Sequence, residues 1–327
     1  MNTVANLSAY TLDEDESRAL ATLADRAAHR LHDGPDAIAE YLLDLPDGLR
    51  RALLSFERGA QSGHLLVRRL PLGQLPPTPQ QHEDTVLREH TTTGVLMLVA
   101  ELLGSLIGYA DEKDGALVHE VHPVRGEEQR IENTGSVAFD FHTENVHHPL
   151  RPDFLGLLCL RRDHAGMAAT RVASVREAAT HLDPRHVAIL RRPEFHSLYP
   201  TSFTRGIHGE RPASGPHPVL FGADDRLFMR FNSHNTQAVD DAGRAALRAL
   251  AEALENVSHD LVLAPGDLVV VDNHVAAHGR AGFTARYDGH DRWLRRCYSL
   301  RSVPRWAEEM MARPRVLPSL AGIRGVL

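Results

Sequence analysis

From about residue 116 onward the sequence breaks into short apolar segments separated by Pro, Gly and Asp, and most are too short to be helices. Segments 117–122, 137–144, 154–160, 170–175, 219–221, 227–231, 268–271 and 296–300 read as strands. One helix interrupts them at 240–256, where Ala245, Leu247, Leu250 and Leu254 recur at helical spacing. Before residue 110 the pattern is mainly helical. Leu20, Leu23, Ala27 and Leu31 follow the acidic run 13–16, and further helices are expected at 36–43, 48–58 and 92–107. A short strand is expected at 63–70. Strands after a helical section predict a mainly β fold with flanking helices (α+β), built on a double-stranded β-helix, or jelly-roll, core. With no repeat and no dividing linker, residues 1–327 are expected to form one domain. Residues 1–110 would be helical support and 111–305 the core, with the helical insertion at 240–256.

Composition excludes several classes. The chain is 43% hydrophobic and carries a net charge of −7 with no Lys/Arg-rich run, which argues against nucleic acid or an anionic membrane as partner. Cys159 and Cys297 are too few for a disulfide framework and suit a reducing cytoplasm. The first residues lack a signal-peptide pattern, and the apolar stretch 95–107 is interrupted by Glu101 and Gly104. A cytoplasmic location follows as an expectation. Nucleophile-elbow and nucleotide-binding glycine motifs are missing in a fitting context.

The chemistry concentrates in three pieces. His142 and Glu144 stand two apart on an expected strand, where i and i+2 share a face, so an imidazole and a carboxylate can reach one ion. The stretch 263–280 reads as a turn, an apolar strand, an Asp272-Asn273 turn and then His278-Gly-Arg. Two histidines and one carboxylate bind one face of Fe(II) and leave positions open. Arg292 lies fourteen residues beyond His278, and a guanidinium can clamp a carboxylate bidentately. His147, His148 and His274 are expected to be surface or hydrogen-bonding residues.

These pieces, with Glu112–Val124, Asn133–Ser136, Arg151–Arg161, Val271–Arg280 and Arg286–Arg296, resemble the Fe(II)/2-oxoglutarate-dependent dioxygenases of the clavaminate synthase-like family. The bacterial free-amino-acid β-hydroxylases are the nearest in pattern. The resemblance implies His142, Glu144 and His278 as metal ligands for Fe(II). It implies Arg292 as the clamp on 2-oxoglutarate, assisted by Thr170 or, two residues on, by Val172. Dioxygen would be the oxidant. Arg296 matches the residue binding the amino-acid carboxylate, Glu112 the acceptor of its ammonium, and Asn133 a backbone contact. The family's side-chain reader is acidic, and here Asn232 stands in its place, with Arg230 expected on the same strand face. A neutral donor and a cation lean toward an acidic or polar side chain such as aspartate or glutamate. The expected activity is hydroxylation of a free L-amino acid, at Cβ, in natural-product biosynthesis. The alternatives are desaturation or cyclisation, and a non-proteinogenic or carrier-tethered substrate, so a carrier protein stays open as a partner. A non-catalytic metal-binding jelly roll is the remaining alternative. Glu144 argues against a halogenase, in which a small residue replaces the carboxylate ligand. The segment 200–218, rich in His, Gly, Ser and Pro, is expected to act as a mobile lid over the site.

Overall fold

The structure is a computed structural model that describes residues 8–82, 87–131, 134–204 and 211–323. Two mixed or antiparallel sheets carry the fold. The larger runs in the order Ala9–Thr11, His64–Arg68, Leu268–Asp272, Phe154–Arg161, Trp293–Leu300, Ser105–Tyr109, Val316–Leu317, with Val118–Val121 also on the Trp293–Leu300 strand. The smaller runs His259–Leu261, Thr170–Ser174, Ala276–Arg280, Phe139–His142.

Strand alternation sorts the large sheet into two faces. Phe154, Leu158, Leu268, Val270 and Cys297 face the helices, where they pack with Leu96 and Leu53. Leu155, Leu157, Val269, Val271, Leu294 and Tyr298 face the smaller sheet and meet its Val172 and Ala276. The functional side chains fall between the sheets because Arg296 shares a face with Leu294 and Tyr298. Arg295, one residue away, points to the helices, where it binds Glu120 at 2.8 Å and the hydroxyls of Thr92 and Thr93. The outer face of the smaller sheet, through Phe141, Ala173 and Ala277, packs on the Asp241–Asn256 helix and its neighbours.

The N-terminal helices form for local reasons. Asp13 caps Glu14–Ala28 in a capping box with Glu16. That helix packs on Thr91–Leu103, which is apolar almost all round and so lies buried. Contact is close enough that a Cβ on Gly94 would sit 1.8 Å from the Ala24 carbonyl oxygen.

Several elements differ from the sequence reading. The expected helix 92–107 stops at Leu103. Gly104 follows at φ +157°, where an added Cβ would strike the Leu300 carbonyl, and Ser105–Tyr109 becomes a strand of the large sheet. The N-terminal part therefore supplies strands as well as support. The expected strand 137–144 shrinks to Phe139–His142, and Glu144 lies in the turn beyond it. The expected strand 227–231 pairs only as Phe228–Met229 with Leu220–Phe221. Among the described residues no helix is long and apolar enough to cross a membrane.

Candidate active site

His142 closes its strand directly opposite His278, with ring centroids 4.2 Å apart. The His142 Nδ1–H donates to the Asp140 carbonyl at 3.0 Å, which leaves the Nε2 lone pair available, and Phe139 stacks on the ring at 4.0 Å. Glu144 reaches the same point from its turn. Its Oε2 lies 3.4 Å from His278 Nε2 and 3.8 Å from His142 Nε2. All three side chains are buried, and together they can hold one metal ion.

The two oxygens of Glu144 have different surroundings. Oε1 takes Arg296 Nη1 at 3.2 Å and the Tyr298 hydroxyl at 2.9 Å. Oε2 is buried with no hydrogen bond. A buried carboxylate oxygen with no donor, beside the His142 Nε2 lone pair and within 3.4 Å of His278 Nε2, is a favourable place for a cation. Burial raises the Glu144 carboxyl, but Arg296 and the neighbouring His278 and His142 rings outweigh it and hold the group well below the usual carboxylate range. Burial, reinforced by His278, pushes His142 down to about 3. Both groups therefore keep the protonation states that bind metal at neutral pH.

The turn under Glu144 is fixed by Asn273, which is fully buried. The Glu144 N–H donates to Asn273 Oδ1 at 2.6 Å, and Asn273 Nδ2 donates back to the Glu144 carbonyl at 3.1 Å and to the Pro152 carbonyl at 2.8 Å. The i, i+2 strand argument for His142 and Glu144 thus needs correction. The two converge because a turn residue is clamped from the neighbouring loop.

Beside the triad lie two buried guanidiniums. Arg292 Nη2 is 3.4 Å from Thr170 Oγ1. Arg280 donates to the Val137 carbonyl at 2.8 Å. Both lie over the Phe283 ring, and neither has a carboxylate within ion-pair distance among the described residues. Burial, then Arg292, pushes Arg280 down to about 9, and burial also lowers Arg292. Two buried guanidiniums without a carboxylate partner among the described residues can receive an anion. Thr170 pairs with Arg280 in the sheet, whereas Val172 sits opposite His278 in the apolar cluster, so Thr170 is the one beside Arg292.

On the other side of Glu144, Arg296 Nη2 pairs with Glu112 Oε1 at 2.7 Å and lies 3.0 Å from His119 Nδ1. Glu112 is buried; burial raises its carboxyl despite Arg296. Glu112 and Arg296 open on a cavity of about 590 Å³ that also meets His147, Phe203, Asn232 and Asn235. Asn232 is bridged to His142.

Other expected residues fall differently. Arg230 is not on the cavity wall, because the strand ends at Met229 and the Arg230 Nε donates to the Val146 carbonyl at 2.7 Å. The shared strand face proposed for Arg230 and Asn232 is therefore not formed. Asn133 lies outside the described residues. Of the three histidines expected to be surface or hydrogen-bonding residues, His148 accepts from the Leu150 N–H at 3.0 Å and His274 binds Asp153 at 2.7 Å, as expected, while His147 is buried on the cavity wall with its ring against Phe203. Of the expected lid, Pro200, Thr201 and Phe203 line the cavity and 205–210 lie outside the described residues. Sequence reasoning missed Asn273, Tyr298, His119 and Arg280. The Asp272-Asn273 turn and the His278-Gly-Arg run were the only signals for two of them.

Two imidazoles and a carboxylate converging on one point match the ligand pattern that mononuclear non-haem iron oxygenases use. Residues 55–298 match the family model described as taurine catabolism dioxygenase TauD, TfdA family. An L-asparagine oxygenase of Streptomyces coelicolor is 37% identical over 305 residues, 90% of each chain. A solved asparagine oxygenase in complex with Fe(II), 2S,3S-3-hydroxyasparagine and succinate superposes at TM-score 0.88 with 35% identity, covering 95% of this chain and 99% of that one. The non-haem iron oxygenase OrfP with Fe and alpha-ketoglutaric acid superposes at TM-score 0.82 with 30% identity, covering 94% and 99%. The chain belongs to the TauD/TfdA family and is a non-haem iron, 2-oxoglutarate-dependent dioxygenase.

Proposed function

We propose that this enzyme hydroxylates a free L-amino acid at Cβ, and that the amino acid has an acidic side chain, aspartate or glutamate. The observation that carries this reading is the buried Glu112–Arg296 pair beside the triad. A free amino acid is a zwitterion and needs an anion and a cation at fixed spacing. On binding, Arg296 takes the α-carboxylate and Glu112 takes the α-ammonium. Their mutual bond is exchanged for two new ones, so no buried charge is left unpaired.

His142, Glu144 and His278 are read as the iron ligands, supported by the unbonded Glu144 Oε2. Arg292, with Thr170, is read as the holder of the far carboxylate of 2-oxoglutarate. Bound iron, with 2-oxoglutarate and dioxygen, supplies the oxidant that turns C–H into C–OH while 2-oxoglutarate leaves as succinate and carbon dioxide. Phe139 and Phe203 keep water from the reacting carbon. Substitution at C3 is supported by the product named with the asparagine oxygenase structure, which carries its new hydroxyl there. Asn232 supports the acidic side chain. Its Oδ1 accepts from the N–H groups of His234 and Asn235 at 2.9 Å each, so the carboxamide keeps only its donor end. The two facing sheets are read as the halves of a jelly roll, and residues 1–327 as one dioxygenase unit.

The test is succinate formation by Fe(II)-loaded protein with 2-oxoglutarate and air against the twenty L-amino acids, with mass spectrometry on each mixture. Aspartate or glutamate should stimulate turnover and gain one oxygen. Stimulation confined to basic or amide side chains contradicts the substrate reading. Silence across the panel points to a carrier-tethered or non-proteinogenic substrate, and loss of two hydrogens to a desaturase.

A further inference from the structure

Asn235 stands on the cavity wall beside Asn232. Its backbone is held on both sides. The N–H donates to Asn232 Oδ1 at 2.9 Å, and the carbonyl accepts from the Leu198 N–H at 2.9 Å. Its side-chain Oδ1 accepts from Arg211 Nη2 at 3.1 Å, while the Arg211 Nε donates to the Tyr199 carbonyl. Backbone N–H groups and guanidiniums only donate. These partners therefore fix which end of each carboxamide is oxygen, with no ambiguity of the amide flip. In both Asn232 and Asn235 the oxygen is turned to the protein. What each carboxamide has left for the cavity is an NH₂ group. Two donors side by side complement an acceptor-only group, which is a carboxylate. An amide side chain would set its own NH₂ against one of them and leave a polar group unpaired.

We infer that Asn235 is a second reader of the substrate's side-chain carboxylate and that Arg211, by holding the Asn235 oxygen, is the positioning residue that makes it a donor. This rests on the acidic-substrate reading proposed above. Asn235 reads by touching substrate; Arg211 acts only through Asn235. The exposed Arg211 also carries positive charge to this side of the cavity.

The test compares aspartate with asparagine as substrates of the iron-loaded enzyme for wild type, Asn235→Asp, Arg211→Ala and Arg211→Lys. Asn235→Asp places an acceptor where the donor stood. It should raise KM for aspartate at least ~10-fold with kcat changed less than about 3-fold, and move the aspartate/asparagine ratio of kcat/KM toward asparagine by on the order of 100-fold. Arg211→Ala frees the carboxamide to rotate and should move the ratio the same way by about 3- to 10-fold, again through KM. Arg211→Lys should recover part of that loss. Wild-type KM and selectivity in Asn235→Asp overturn the inference while leaving the acidic-substrate reading in place. Should Asn235→Asp fail to fold, judged by loss of a cooperative melt, Arg211→Ala decides, and unchanged selectivity there overturns it. A wild type that prefers asparagine overturns the substrate reading itself, and this inference falls with it.

Discussion

Asn273 grips Glu144 at both backbone polar atoms, accepting from its N–H at 2.6 Å and donating to its carbonyl at 3.1 Å. The carboxylate proposed as a metal ligand is thus placed by a side chain 129 residues away and not by the strand that carries His142. Asn273→Ala leaves three buried backbone groups without this partner, the Glu144 N–H and carbonyl and the Pro152 carbonyl, and costs about 1–3 kcal/mol of stability for each. Iron affinity should fall by about 10- to 100-fold, as for loss of an outer ligand support. Fe(II) titration of activity checks this: excess iron should restore kcat in the variant.

Arg292 is a buried cation with no carboxylate partner among the described residues, so it costs stability until an anion arrives. Arg292→Met should raise KM for 2-oxoglutarate at least ~30-fold. The same variant should melt at or above the wild-type temperature when 2-oxoglutarate is absent and lose the upward shift that 2-oxoglutarate gives the wild type. A thermal melt with and without 2-oxoglutarate separates the two effects.

Glu112→Gln keeps the shape of the site but removes the charge proposed to meet the α-ammonium. Amino-acid KM should rise at least ~30-fold. Affinity for 2-oxoglutarate should change less than about 2-fold, because Arg292 and Thr170 lie on the other side of Glu144. Steady-state kinetics with each substrate varied in turn checks the split.

His217 lies away from the triad, with Nε2 2.9 Å from Ser197 Oγ and Nδ1 3.0 Å from the Pro218 carbonyl. The surroundings that face it are Arg230, Arg151 and His196, and burial first, then Arg230, lowers it to about 4. Its folded-state value lies below the unfolded one, near 6.5, so the unfolded chain takes up the proton first as pH falls. Its contribution to stability is full above about pH 6.5 and declines by about 1.4 kcal/mol per unit between there and about pH 4. Denaturant unfolding at pH 7 and pH 5 should show a smaller difference in His217→Gln than in wild type.

The chemistry was more legible in the sequence than the geometry that delivers it. His142, Glu144, His278 and Arg292 were singled out by residue type and spacing together with the family resemblance, and the fold brings the first three to one point. Short strands between Pro, Gly and Asp likewise showed the sheet-rich core. The turn at Glu144 was not legible, because it depends on Asn273 from a distant loop. The strand Ser105–Tyr109 was hidden because Leu-Ile-Gly-Tyr continues the apolar run of the preceding helix, and only the approach of Leu300 to Gly104 ends it. Arg280 carried no reading of its own beyond the His278-Gly-Arg run, and only the fold sets its guanidinium beside Arg292. Arg230 and Asn232 were placed on one face by a strand that stops at Met229.

The central claim is that this chain places an amino acid beside an iron and 2-oxoglutarate site and oxidises it with dioxygen. The most direct measurement is turnover under ¹⁸O₂ of anaerobically Fe(II)-loaded protein with 2-oxoglutarate and aspartate. The account predicts one ¹⁸O atom in the hydroxylated amino acid and one in succinate, in equal amounts. Succinate formed while every amino acid in the mixture keeps its mass would contradict it.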